Sequence, residues 1–363
     1  VNSCQKNDLP NPPGGGGDTT RLPELPKEGV AVKTSVFGRI VDEQDKPLPG
    51  VIVTGGGSAT TTDVNGIFIM KDIMLDQARA YITATKAGYF SGSRIFQPMK
   101  DDMSRPPLIK LLAQKSIGSI NAASGGAAES KGGIKVELPA NAIEGYSGQV
   151  NVVSSYINPT SPDFFARMPG DLAADNAENK RGSLVSYGMA AIDLLDGAGK
   201  KLKLKPGMQA TVTLPVPQSL QASAAPAIAM WHFDETKGIW KEEGSGTLQN
   251  GKYVGKVSHF SIWNYDHWNP MMALPMILRW MLSKLSSMPP EGEDEVLNHP
   301  PDFILTVKDK KTKTTLYSNT FPTPKPVPNS SPKESKSEVN FPLPNIADVM
   351  EVTVTPVQPG GPD

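Results

Sequence analysis

Ser35-Val36-Phe37-Gly38-Arg39-Ile40-Val41-Asp42 is the stretch that decides the fold. β-branched and aromatic residues fill it and a polar turn ends it, which is how a strand reads. Lys46-Pro47-Leu48-Pro49-Gly50 follows as a turn, because proline presets φ and glycine permits a positive one. Val51-Ile52-Val53-Thr54 is a second short strand, stopped by Gly55-Gly56-Gly57. Thr60-Thr61-Thr62-Asp63 then leads into Asn65-Gly66, the strongest short-range hairpin signal, and on to Ile67-Phe68-Ile69-Met70. Tyr81 to Thr85 and Leu108 to Leu111 complete a set of short strands at sandwich-like spacing.

The rest of the chain keeps this character. Gly132 to Pro139 and Gln149 to Val152 alternate with period two, and Leu184–Leu195, Gln209–Leu214 and Ile228–Phe233 repeat the theme between turn formers such as Asp196-Gly197 and Lys237-Gly238. Glycine and proline number 34 each, which favours a turn-rich chain over a helical one. The expected fold class is all-β, as tandem β-sandwiches with a short helix at a junction and flexible termini. With 363 residues, 38% of them hydrophobic, two or three domains are expected.

Composition also excludes functions. The 36 Lys and Arg nearly balance 37 Asp and Glu, and a net charge of −1 argues against nucleic acid as the main partner. The one cysteine, Cys4, rules out a disulfide framework or a cysteine-based zinc site within this chain.

Val1-Asn2-Ser3-Cys4 resembles the end of a bacterial lipoprotein signal, where small residues precede the acylated cysteine. The resemblance implies a lipid on Cys4 and membrane attachment at the cell envelope, on the outer membrane or cell surface. Residues 5–27, with Gly14 to Gly17 and five prolines, carry nothing that can bury a core and read as a solvated tether. The expected organisation is therefore a lipidated tether over 1–30, a first sandwich over 31–115 and a second over 116–266. A helix and linker over 267–300 and a small β module over 301–363 follow.

Two family resemblances rest on ordered residues. Gly38, Asp42, Pro47 to Val51, Thr62-Asp63, Asn65-Gly66, Phe68 and Lys86-Ala87-Gly88-Tyr89 resemble the carboxypeptidase regulatory-like domain, a transthyretin-like sandwich common in Bacteroidetes surface proteins. That resemblance implies a non-catalytic module. Leu138 to Ala142, Pro169 to Leu172, Ser186 to Met189, Trp231 to Glu235, Trp240 with Glu242-Glu243-Gly244, and His259 to Asp266 resemble the extracellular part of cartilage intermediate layer protein and related bacterial surface proteins. It implies an extracellular β-domain without established catalytic residues.

Chemistry-bearing residues are few. Asp63 and Asn65 read as turn-shaping side chains rather than cation ligands. His232 and Glu235 have the spacing of two zinc ligands in metallocarboxypeptidases, but Asp234-Glu235-Thr236-Lys237-Gly238 reads as a hairpin turn that separates them. The remaining histidines, His259, His267 and His299, lie much closer than that family places its third ligand. No Gly-x-Ser-x-Gly elbow or phosphate loop is present, and no catalytic residue, cofactor or metal is expected.

Four of the five tryptophans fall between 231 and 268. Alternation sets Ala229, Trp231 and Phe233 on one face, the core face, whereas Trp268 is a candidate for ligand stacking. Phe164 and Phe165 sit in the aperiodic segment from Asn158 to Gly182, which reads either as a binding loop or as a solvated one. Met271 to Met288 is the best helix candidate, too short and too charged to span a membrane, and suited to cover a junction or lie on a surface. The functional expectation is a non-enzymatic, lipid-anchored surface protein that binds or scaffolds a glycan or an envelope protein. The alternative is an enzyme or accessory subunit acting on peptides or polysaccharides at the envelope.

Overall fold

The structure, a computed structural model, describes residues 28–270 and the strands at 303–309, 315–321 and 350–356. Cys4, the tether up to residue 27, the helix candidate at 271–288 and the Pro/Ser/Lys-rich stretch at 322–336 lie outside the described residues. The chain is all-β, with two single-turn helices among the described residues. No helix among those residues is long and apolar enough to cross a membrane.

The first unit holds β1 (Ala31–Val41), β2 (Ile52–Gly55), β3 (Ser58–Thr61), β4 (Ile67–Asp76), β5 (Ala80–Thr85), β6 (Gly92–Phe96), β7 (Met103–Ser104) and β8 (Ile109–Lys110). One sheet runs β4-β1-β7 with β8 also on β1, and a second runs β3-β2-β5-β6. Along β1 the even-numbered residues Val32, Thr34, Val36 and Ile40 are buried, as period-two alternation demands. Val36, Ile40, Phe68 and Met70 from one sheet meet Val53, Ile82 and Ala84 from the other. This is a β-sandwich.

Asn65-Gly66 does not close a hairpin. β3 and β4 belong to different sheets, so the turn carries the chain from one layer of the sandwich to the other. Its geometry is local: Asp63 Oδ1 accepts the N–H groups of Asn65 at 2.9 Å and Ile67 at 2.8 Å. Asp42, Asn176 and Asp196 make the same pair of bonds to the second and fourth residues beyond them. In all four turns the third residue, Asp45, Gly66, Asn179 or Gly199, takes a positive φ. Asp, Asn and Gly are the residues that tolerate this conformation, so the turn chemistry is written in the sequence.

The second unit holds β9 (Ser116–Asn121), β10 (Gly126–Glu129), β11 (Lys135–Leu138), β12 (Gln149–Ile157), α1 (Phe164–Arg167), β13 (Ala173–Asp175), β14 (Arg181–Leu195), β15 (Ala210–Pro215), α2 (Gln218–Gln221), β16 (Ala227–Asp234), β17 (Ile239–Gln249), β18 (Lys252–Val257) and β19 (Ile262–Pro270). Ten strands form one sheet in the order β10-β11-β15-β18-β17-β16-β19-β14-β12-β9, with β13 bridging β14 and β17. The sheet curls until its ends approach: a Cβ on Gly118 of β9 would lie 3.0 Å from the Ala128 Cβ on β10. Its concave face encloses one core, including Val136, Val152, Ile192, Val212, Met230, Trp263 and Tyr265.

The convex face is covered too. Trp231, Phe233 and Trp240 pack there with Ile157, Leu184, Met189 and Ala191, and Phe90 and Leu112 of the first unit close over them. Each tryptophan buries 150–250 Å², about 4–6 kcal/mol before ordering costs are subtracted. The two units therefore share a hydrophobic core. Beyond them, β20 (Phe303–Asp309), β21 (Thr315–Phe321) and β22 (Met350–Pro356) form a three-stranded sheet in the order β21-β20-β22.

Candidate functional site

The aperiodic segment after β12 is neither a free loop nor a solvated one, because it fills the seam between the units. Phe164, Met168 and Leu172 are buried in the shared core. Arg94 of β6, itself 2% exposed, reaches under them. Its guanidinium donates to the carbonyls of Met168 at 2.6 Å, Leu108 at 2.7 Å and Ala166 at 2.5 Å. Among the described residues no carboxylate is bonded to it, and burial lowers its pKa to about 9. Arg79, just before β5, clasps Asp171, whose backbone carbonyl accepts the Trp240 indole N–H at 2.8 Å. Lys110 on β8 bonds Asp163 at 3.1 Å across the same seam.

These contacts settle where the ligand candidates lie. Phe164 is 2% exposed and meets Phe165 edge-on at 5.1 Å, so its ring has no surface to offer a ligand. Phe165 and Trp268 are half-buried against the same core. The three expected binding residues thus come together around one hydrophobic core rather than on an open loop. Trp231 is fully buried, as alternation required, and so is Trp263. The seam surfaces as a shallow cleft of about 270 Å³ bordered by Tyr81, Thr83, Ser93, Pro169, Phe233 and Thr236.

The most chemically distinctive cluster lies at the rim of the concave face. His232 on β16 alternates with Trp231 and Phe233, so it points away from the shared core. Glu235 does not join it: β16 ends at Asp234, and Glu235 falls in the turn whose Asp234 Oδ1 accepts the Thr236 N–H at 3.0 Å. Glu243 does. Ala229 pairs with Ser245 and Trp231 with Glu242, so Glu243 and Gly244 together face the single residue Met230. This is a β-bulge, with Gly244 at φ +83°. It leaves Glu243 on the His232 side of the ribbon before the parity of β17 reverses. The segment between β18 and β19 supplies His259, held by its carbonyl, which accepts the Trp263 indole N–H at 3.1 Å.

His232 Nδ1 lies 3.1 Å and His259 Nε2 3.2 Å from the same oxygen, Glu243 Oε2. The other oxygen, Oε1, accepts the Ser258 hydroxyl at 2.6 Å, which fixes the carboxylate. The imidazoles stand edge-to-face, 4.8 Å between centroids, against Trp263. Burial, with the neighbouring His259, depresses the His232 pKa. Burial alone would raise Glu243, but the Ser258 hydroxyl and the imidazoles outweigh it and hold the carboxyl below its ordinary value. Two imidazoles and a carboxylate are a donor set for borderline divalent metals. Neither pair spacing nor motif announces these residues in sequence; Glu243 is brought in by the pairing of β17 with β16.

Known proteins resemble parts of this chain. A family model described as FAM171A1/A2/B, N-terminal, matches residues 134–261, about a third of the chain and the region that holds all three cluster residues. No curated protein matches the sequence. Among solved structures, a protein of unknown function from Bacteroides fragilis, provisionally described as membrane-associated, is 10% identical, with a TM-score of 0.19, over 66% of this chain and 99% of its own.

Proposed function

We propose that the protein is a non-enzymatic binding or scaffolding lipoprotein of the cell envelope, held by a lipid on Cys4 and displayed on its tether. In this proposal the first unit is a carboxypeptidase regulatory-like module that serves as a support, and the partner is a glycan or an envelope protein. The observation that supports it best is the seam. The irregular segment between β12 and β13 is consumed in joining the units, through Arg94 to the carbonyls of Ala166 and Met168 and through Arg79 to Asp171. A body built to stay rigid suits presentation of a fixed surface, whereas substrate-gated catalysis draws on segments able to move. Envelope fractionation of the full-length precursor beside its Cys4→Ala variant tests the anchor. Membrane partition lost in the variant is expected, and identical partition of the two forms contradicts it.

One observation favours the other reading, an enzyme or accessory subunit acting on peptides or polysaccharides. The His232–Glu243–His259 cluster is partly open, with side-chain exposures of 22%, 36% and 41%, and an open three-donor site is the arrangement hydrolytic metal centres use.

A further inference from the structure

We propose that His232 Nδ1, Glu243 Oε2 and His259 Nε2 bind one Zn²⁺ ion, which ties β16, the bulge of β17 and the segment entering β19 together. The donor atoms lie within 4.8 Å of one another. The two nitrogen–oxygen separations, 3.1 and 3.2 Å, approach the roughly 3.3 Å edge of a tetrahedron with metal–ligand bonds of about 2.0–2.1 Å. Small side-chain rotations bring all three onto one ion.

A metal also accounts for an otherwise unexplained atom. His232 Nδ1 is buried and has no hydrogen-bond partner, since its approach to Glu243 Oε2 has the distance but not the direction of a hydrogen bond. Buried polar atoms left in this state are rare, and an ion is one of the few things that satisfies them. The surroundings are those of a built site. Ser258 turns the carboxylate so that Oε2 faces both imidazoles, and Trp263 walls the rings on one side while holding the His259 backbone. Such outer contacts orient metal ligands and select their donor atoms. The exposed edge leaves a fourth position for water or for a donor from a bound partner. Zn²⁺ fits better than Ca²⁺ or Mg²⁺, which take oxygen ligands in larger number.

The test uses the untagged chain, stripped with a chelator and titrated with Zn²⁺ against a chromophoric competitor, with Co²⁺ as a spectroscopic stand-in. One Zn²⁺ per chain is expected, with intense visible Co²⁺ bands of a tetrahedral site and a Tm that rises with Zn²⁺ concentration. His232→Ala and His259→Ala should each weaken binding by about a hundredfold, and Ser258→Ala by about tenfold. His267→Ala and Cys4→Ala should leave it unchanged. Glu243→Gln retains the shape and the Ser258 bond, so tenfold or greater weakening with an unchanged metal-free circular dichroism spectrum separates lost ligation from misfolding. Substoichiometric Zn²⁺, or full affinity in the His232→Ala/His259→Ala double variant, overturns the proposal.

Discussion

Arg79 and Asp171 form a two-bond ion pair across the seam, Nη1 to Oδ2 at 2.7 Å and Nη2 to Oδ1 at 3.2 Å. Side-chain exposures of 17% and 10% make it a largely shielded pair, and deleting one partner strands the other charge. The Arg79→Ala variant is therefore expected to lose about 2–3 kcal/mol. Denaturant unfolding checks this through a lower midpoint at unchanged slope. A loss within about 0.5 kcal/mol, the range of ordinary surface substitutions, would show that the seam does not depend on the pair.

A second pair of contacts makes the seam sensitive to acid. Burial by itself would raise the Asp163 pKa, but bonds from Ser161, Arg167 and Lys110 outweigh it and bring the value down to about 2. A carboxyl depressed in the folded state stabilises above its unfolded value and loses that contribution as pH falls through the folded value. Wild-type stability relative to Asp163→Asn should thus decline between about pH 4 and pH 2. Chemical denaturation of both proteins at several pH values measures the difference. A constant difference across that range would exclude the assigned ion-pair role.

Asp266 should behave in the opposite sense. It is fully buried on β19, its Oδ1 has no partner, and burial raises its pKa well above the ordinary value, despite bonds from Ser186 and the Tyr187 backbone that favour the carboxylate. Above about pH 4 the unfolded chain releases this proton while the fold retains it, so stability falls as pH rises. Relative to Asp266→Asn, the wild type is expected to weaken from pH 5 to pH 8. A wild type that gains over the variant across that interval would show the carboxylate is ionised in the fold.

Much of this architecture is legible in the residues. β-branched and aromatic content marks the strand at Val36 and Ile40, alternation at Trp231 and Phe233 identifies a buried face, and Asp63 and Asp196 identify turns, because these signals act within a few residues. Strand partnership is not local. Asn65-Gly66 reads as a hairpin, but its two flanking strands find partners in different sheets, an outcome set by packing of the whole sandwich. The segment around Phe164 lacks periodicity because it follows the relief of two units rather than one sheet. Glu243 is hidden because only strand pairing brings it beside His232: Lys241 opposes His232, and Glu243, two residues on, shares that face. The metal-type donor set exists only once β16, β17 and the segment entering β19 lie side by side.

The central functional claim is binding without catalysis, and the most direct test is to offer the untagged chain fractionated envelope polysaccharides and peptides while following both capture and hydrolysis, with added Zn²⁺ and with the His232→Ala variant in parallel. Saturable capture of one fraction, with no product released by either protein, is the expected result. Product formation by the wild type that disappears in a folded His232→Ala variant would contradict it and make the protein a metal-dependent hydrolase.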